Sequence, residues 1–456
     1  MLHYVYTSLG DFSMDSGRCE LIVVGDEILL GQTLDSNSRY IARRLTDNGM
    51  RLHWISVVPD DKDEIKTALD RATGRASAVI ITGGLGPTAD DFTRPVIAGF
   101  FADNLVWRQD LADAILARFE KRAIRPSPGW ETMAYFPSRA AAIPNAHGAA
   151  PGIHYNYVRD HKGATAVVTP VADSLQSVAI EPVFREAGRQ LFALPGVPVE
   201  MRGMFEDYIL PRLIAARKGV FKSRIFKTVG AGETHLAACI GDPAVLAPAT
   251  LAFLPSLDQG VTLRLSCSGD DVNLVHPVLE KGSAIIRTAI QSYIYATEEI
   301  PLEAVIIDIL RYRGWKAAFA ESCTGGMISA RLTSIPGASD VFERCFVTYS
   351  NQAKVELLGV APDIIENYGA VSEQCARAMA EGACQQAKVD IAISVTGIAG
   401  PGGGTVEKPV GLVYIGVADR GGSKVKRFTF AGDRDDNRRR AALAALTMLY
   451  RKCINA

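Results

Sequence analysis

From residue 19 onward, short all-apolar runs alternate with stretches whose apolar residues recur every three or four positions. CELIVVG (19–25) suits a strand buried on both faces. SNSRYIARRLTDNG (36–49) puts Ile41 and Leu45 on one helical face and ends at Gly49, a stop signal. RLHWISVVPD (51–60) reads as a strand, and DKDEIKTALDRATG (61–74) as a helix with acidic residues in its first turn. SAVIITGG (77–84) is a further buried strand. This alternation predicts a parallel sheet covered by helices on both faces. Ligands bind such sheets beyond the carboxyl ends of the strands, here VGDEILLG (24–31) and TGGLGPTADD (82–91). The stretch 137–200 reads as loop-rich, and LFALPGVPVEMRGMFEDYILPRLIA (191–215) closes the unit with a strand, a Pro-Gly turn and a helix.

The pattern then changes. RIFKTVG (224–230) and VTLRLSCSG (261–269) read as strands around helical GETHLAACIG (232–241), followed by the helix VNLVHPVLEKGSAIIRTAI (272–290). This is a small α+β module without a chemical motif. From Pro301 the strand–helix alternation returns. LEAVIIDILRYRG (302–314), GGMISARLTSIPG (325–337), NQAKVELLG (351–359), SEQCARAMAEGACQQAK (372–388) and RDDNRRRAALAALTMLYRKC (434–453) are helical. WKAAFAES (315–322), FVTYS (346–350), VDIAISVTG (389–397) and GLVYIGVAD (411–419) are strands. The expected fold is α/β: two three-layer domains with mostly parallel sheets, joined by the small α+β module. The boundaries read as an extension 1–18, a first domain 19–216, the module 217–299 and a second domain 300–456.

Composition narrows the function. Of 456 residues, 48% are apolar and 22% charged, with a formal charge of −1, which argues against a globally basic nucleic-acid binder. The eight cysteines show no C-x-x-C spacing, so neither a zinc signature nor a disulfide framework is expected, and reduced thiols point to the cytoplasm. No apolar run reaches membrane-spanning length, and the first 18 residues lack the pattern of a signal peptide.

Candidate chemistry is concentrated at AESCTGG (320–326). Ser322 lies at a strand-to-helix junction, where a nucleophile would be presented. A serine hydroxyl needs a base, yet none of the seven histidines lies beyond residue 276. Lys354, just past the FVTYS strand, is the candidate base, with Tyr349 to orient it or relay a proton. The turn Thr324, Gly325 and Gly326 offers backbone N–H groups for an oxyanion. Thr396 and Gly397 follow another strand, and Arg434 or Arg438 could pair with a phosphate. The plain alternative is a capped helix start, and Cys323 is the rival nucleophile. In the first domain, Gly25, Asp26, Glu27, Asp35, Asn37 and Thr88 stand at strand ends beside the amides of Gly83, Gly84 and Gly86. Asp90 and Asp91 suit a divalent cation bridging phosphate oxygens, unless they cap the helix that follows.

The blocks AESCTGG, VTYSNQAKVELLGV, GAVSEQCARAMAEGA and SVTGIAGPGGGTVEKPVG occur in order and resemble the C-terminal domain of the CinA family. VGDEILLGQTLDSN, TGGLGPTADDFT, AAPGI and LPGVPVEM resemble its molybdopterin-binding-like N-terminal domain, and the module between is similar to a KH fold. The resemblance implies deamidation of nicotinamide mononucleotide in pyridine-nucleotide salvage, with Ser322 as nucleophile, Lys354 as base, Tyr349 as its partner and Thr396 on the substrate. It also implies ADP-ribose pyrophosphatase activity in the N-terminal domain, dependent on Mg, Mn or Co, no cofactor for the amidase, and a homodimer. Neither membrane nor nucleic acid is an expected partner. Two alternatives stand beside this reading: an amidase with a degenerate nucleotide-binding N-terminal domain, and a non-enzymatic adaptor in competence or damage. Cys345, where many relatives carry glycine, and the segment 155–190, longer than expected, depart from the family pattern.

Overall fold

The computed structural model describes residues 18–126, 128–159, 165–167, 188–217 and 219–455. The segment 155–190 falls partly and the extension 1–18 almost wholly outside the described residues. The chain divides into two compact units, one up to Lys222 with Ser268–Val272, the other Ser223–Cys267 with Asn273–Ala456.

In the first unit the strands run in the order Leu52–Val58, Cys19–Val24, Ala78–Thr82, Arg189–Leu194, Gly152–Arg159, Ala141–Ile143, with Thr165–Val167 also on Gly152–Arg159. The first four are parallel and the rest antiparallel. Successive side chains of a strand point to opposite faces, so Ile22 and Val24 pack with Ile65, Leu69 and Ile97. Leu21 and Val23 pack on the other face with Ile41, Leu45 and Phe205. Three layers follow. The stretch expected to be loop-rich holds the antiparallel strands. Their sequence alternates no polar face because His154, Tyr155 and Tyr157 are all buried.

The KH-like module is a four-stranded sheet, ordered Thr250–Ser256, Gly260–Gly269, Val220–Thr228, Ile294–Ala296, with helices Glu233–Ile240 and Val272–Ile290. Two of these strands, Thr250–Ser256 and Ile294–Ala296, were not expected; the first carries a proline and the second is three residues long.

The C-terminal sheet runs Phe342–Val347, Ala317–Glu321, Ile391–Gly397, Leu412–Asp419, Gly422–Thr429. Its first three strands are parallel and its last two antiparallel, so this sheet is mixed. Phe319 packs toward helices Leu302–Arg313 and Arg434–Ile454. Ala318 and Ala320 face helix Glu373–Ala387, and their small side chains let Met379 and Ala383 approach. The three parallel strands end side by side at Val347, Glu321 and Gly397. Whatever follows them in sequence is thereby gathered at one edge.

Candidate active site

Ser322 is the first residue beyond strand Ala317–Glu321, the middle one of the three parallel strands. Its amide donates to Val395 O at 3.0 Å, which continues the sheet for one more bond and fixes the residue. The chain then turns through Cys323–Gly326 into helix Met327–Thr333. Gly326 closes the turn at φ 92°, a conformation that disfavours any side chain. The helix start is not capped by Ser322. Glu321, fully buried, accepts from the amides of Gly326 (2.9 Å), Ile328 (3.1 Å) and Ser329 (2.9 Å) and from the Ser329 hydroxyl (2.7 Å). A carboxylate so bonded satisfies the donors that a helix N-terminus leaves open. Sequence reasoning passed over Glu321; its signal was an acid inside an otherwise apolar strand.

This arrangement corrects one expectation. The amides of Gly325 and Gly326 are not free for an oxyanion: Gly325 N–H donates to Ser322 O at 3.1 Å, and Gly326 N–H to Glu321. Thr324 is fully buried beneath the turn, and its carbonyl accepts from Arg438 at 3.1 Å.

Lys354 comes from helix Asn351–Leu358, which Ser350 caps by accepting from the Ala353 amide at 3.0 Å. Its side chain reaches back under the strand ends, only 1% exposed, and Nζ lies 3.1 Å from Ser322 Oγ. Nζ also donates to Thr348 O at 2.8 Å, with Tyr349 O and Ser350 O at 3.5 Å. No carboxylate pairs with it among the described residues. Burial therefore dominates and holds the Lys354 pKa below the ordinary lysine range. The same burial pushes the Cys323 thiol up to about 12, and Cys345 likewise to about 12, so neither is a thiolate at neutral pH. Cys345 instead sits 3.6 Å from the Glu321 carboxylate.

Ser322 and Lys354 line a pocket of about 190 Å³ with Tyr349, Ala370, Thr396 and Arg434. The Tyr349 hydroxyl does not meet Lys354 as expected. It is exposed and accepts from Arg434 at 3.1 Å; the main chain of Tyr349 is what approaches the lysine. Arg434 also donates to Gly400 O at 2.7 Å, tying two loops of the rim together. Thr396 donates its hydroxyl to Ala370 O at 2.7 Å, and Gly397 lies beside it in the lining.

The first unit gathers its candidates less tightly. Gly83 adopts φ 104°, and a Cβ there would lie 2.1 Å from Val24 O, so glycine is required where the two strand ends meet. Gly83 N–H donates to Leu194 O and Gly25 N–H to Val58 O, so both amides serve the sheet. Asp35 caps helix Ser36–Asp47, and Asn37 donates to Gly196 O at 2.8 Å. Asp90 and Asp91 do not cap helix Thr93–Phe100; Asp91, packed against Gly86, accepts from the Thr88 amide at 2.8 Å. Asp60, which the sequence did not single out, accepts from the Asp26 amide at 3.0 Å. Its pKa is raised by burial first, then by Asp26, Glu27 and Asp90. These carboxylates crowd one another, yet among the described residues no three His, Cys, Asp or Glu side chains converge as a ligand set.

Comparison with known proteins follows the same division. Residues 299–453 match the CinA C-terminal domain, 223–296 the damage-inducible protein CinA KH domain, and 20–215 the family described as "Probable molybdopterin binding domain". A CinA-like protein of Dictyoglomus thermophilum is 38% identical over 439 residues, covering 96% of this chain and 100% of that protein. A protein of Caldicellulosiruptor bescii described as competence-damage inducible is 38% identical over 436 residues, covering 96% and 99%. The crystal structure of the competence/damage inducible protein CihA from Agrobacterium tumefaciens aligns at 43% identity over 32% of this chain and 91% of its own, with a TM-score of 0.32. No helix among the described residues is long and apolar enough to cross a membrane.

Proposed function

We propose, since the chain belongs to the CinA family, that its C-terminal domain is a serine–lysine amidase that hydrolyses the carboxamide of nicotinamide mononucleotide to the acid and ammonia. The observation that carries this reading is the 3.1 Å approach of a buried, unpaired lysine to a serine hydroxyl at the floor of a pocket.

The chemistry follows from the geometry. With Lys354 neutral, two of its N–H bonds are directed at main-chain oxygens and its lone pair is left for Ser322 Oγ. Ser322 attacks the amide carbon as Lys354 takes the hydroxyl proton. The tetrahedral oxyanion needs N–H donors, and Cys323, beside Ser322 in the pocket lining, is the turn residue placed to offer one. The lysine ammonium returns its proton to the leaving nitrogen, ammonia departs, and an ester on Ser322 remains. Water, deprotonated by the again neutral Lys354, cleaves the ester and restores the serine. A pocket of about 190 Å³ is smaller than the about 300–1,000 Å³ usual for whole ligands, so it takes the reacting ring end. The phosphate then lies at the rim with Arg434, whose guanidinium suits it.

The test is ammonia release from nicotinamide mononucleotide by the purified protein. Ser322→Ala is expected to abolish it, and Lys354→Ala to reduce it about 10²–10⁴-fold. Ammonia release unaffected by Ser322→Ala would sink the assignment.

For the first unit the reading is a nucleotide site for a phosphoanhydride of the ADP-ribose class. Three buried oxygens around the strand ends, Asn37 Oδ1, Thr82 Oγ1 and Thr93 Oγ1, have no hydrogen-bond partner among the described residues, which supports a polar ligand there.

A further inference from the structure

Two helices adjoin the turn that carries Ser322. Met327–Thr333 begins at the nucleophile turn, and Arg434–Ile454 carries Arg434 on the rim and Arg438 on Thr324 O. Both helices are gripped from their far side by one residue of the KH-like module. Asp258 stands at the tip of the hairpin between strands Thr250–Ser256 and Gly260–Gly269. Its carboxylate accepts both Nε (3.0 Å) and Nη2 of Arg439, the residue after Arg438. Its carbonyl accepts from Arg331, four residues into the other helix. Arg331 is held in turn by Glu303 at 2.7 Å, and Glu303 is almost wholly buried. Gln259, the next residue of the tip, donates to the other oxygen of Glu303 at 3.4 Å.

We infer that Asp258 is a positioning residue for the amidase site: the hairpin tip of the KH-like module fixes the two helices that set Ser322 and the arginine rim. This inference rests on the amidase reading. The physical argument is one of leverage. A bidentate carboxylate–guanidinium pair is geometrically stiff, and the Asp258 carbonyl, by accepting from Arg331, ties helix Met327–Thr333 to the same tip. Beside the tip lies a cavity of about 520 Å³ bordered by Met327, Ser334, Ile335 and Pro301. Ile328 and Leu332 of the first helix and Ala441, Ala445 and Leu446 of the second share one apolar core, and the tip adds to it a polar restraint through Arg331 and Arg439, which border this cavity. Displacement of helix Arg434–Ile454 acts on the Thr324 carbonyl through Arg438, and displacement of helix Met327–Thr333 acts on the same turn through the chain that joins them.

The test uses the full chain with Asp258→Ala, Asp258→Glu and, as a control for loss of an exposed ion pair, Asp308→Ala. Asp258→Ala is expected to lower kcat for ammonia release from nicotinamide mononucleotide about tenfold with KM little changed, as misplacement of catalytic groups does. Asp258→Glu is expected to recover most of the loss, and Asp308→Ala to match the parent. Hydrogen–deuterium exchange is read in parallel over 322–333, where Asp258→Ala should accelerate exchange while the first unit is unchanged. Unaltered exchange in 322–333, or kcat within twofold of the parent, overturns the inference. If the parent releases no ammonia, the amidase reading falls, and exchange in 322–333 alone decides the clamp.

Discussion

Lys354 is the residue on which the proposed chemistry turns, because a lysine can accept a proton only when neutral. Its folded pKa lies below the ordinary value of 10.5, chiefly through burial. Below the folded value it is an ammonium and cannot act as base, so kcat/KM is expected to rise with pH through that value and then level off. A profile flat across the depressed range would show that another group takes the proton. The stability consequence has the same sign. The unfolded chain keeps the higher pKa, so between the two values it binds the extra proton, and stability rises with pH across that window. Lys354→Met, which cannot titrate, should remove this slope in urea unfolding followed from neutral to alkaline pH. Individual residues were unevenly legible. Ser322 and Lys354 could be singled out because a missing imidazole forces the search for another base. Tyr349 could not be placed, since nothing in a sequence says whether a side chain or its carbonyl faces a neighbour 5 residues on. Asp60 was missed because its closeness to Asp26 arises from sheet pairing and not from a motif.

Among the elements, the helix that follows the nucleophile depends most on a single side chain. Glu321 satisfies three amides and a hydroxyl at the start of helix Met327–Thr333. In Glu321→Gln one oxygen becomes a donor that faces donors. Leaving those buried groups unpaired is expected to cost about 3 kcal/mol. Urea unfolding at constant slope measures it; a midpoint within error of the parent would mean that the turn holds itself. Elements with strong local signals were readable in advance. Ser372 caps helix Glu373–Ala387, accepting from the Cys375 amide at 3.2 Å, and Gly314 ends helix Leu302–Arg313 at φ 65°. Strand Gly422–Thr429 was not foreseen, because its alternating lysines and arginine resemble a polar loop. The antiparallel direction of Leu412–Asp419 was equally hidden, since a buried strand has the same composition in either direction.

At the scale of the whole molecule, the two compact units carry separate candidate chemistries. Loss of the amidase should therefore leave the first unit intact. In Ser322→Ala the full chain is expected to keep binding ADP-ribose, measured by calorimetry with and without added Mg, Mn or Co. Hydrolysis that appears with an added cation and is lost in Asp60→Asn would extend the reading to a pyrophosphatase. Binding without hydrolysis would favour the degenerate nucleotide site, and no binding would remove the nucleotide reading for this unit. Domain order was legible from the change of pattern along the chain. The grip of the hairpin tip on the C-terminal helices was not, because Asp258 and Arg439 lie 181 residues apart and belong to no shared motif.

The buried carboxylate beneath the nucleophile turn also bears on selectivity. A free helix start attracts any anion, and many phosphate sites use one. Here that positive end is quenched from within by Glu321. Of the two basic side chains lining the pocket, Lys354 is occupied with Ser322, which leaves Arg434 to recognise negative charge. On the proposed amidase reading, choice between a nucleotide and its dephosphorylated nucleoside would fall to the exposed Arg434 guanidinium, which can be altered without touching Ser322 or Lys354.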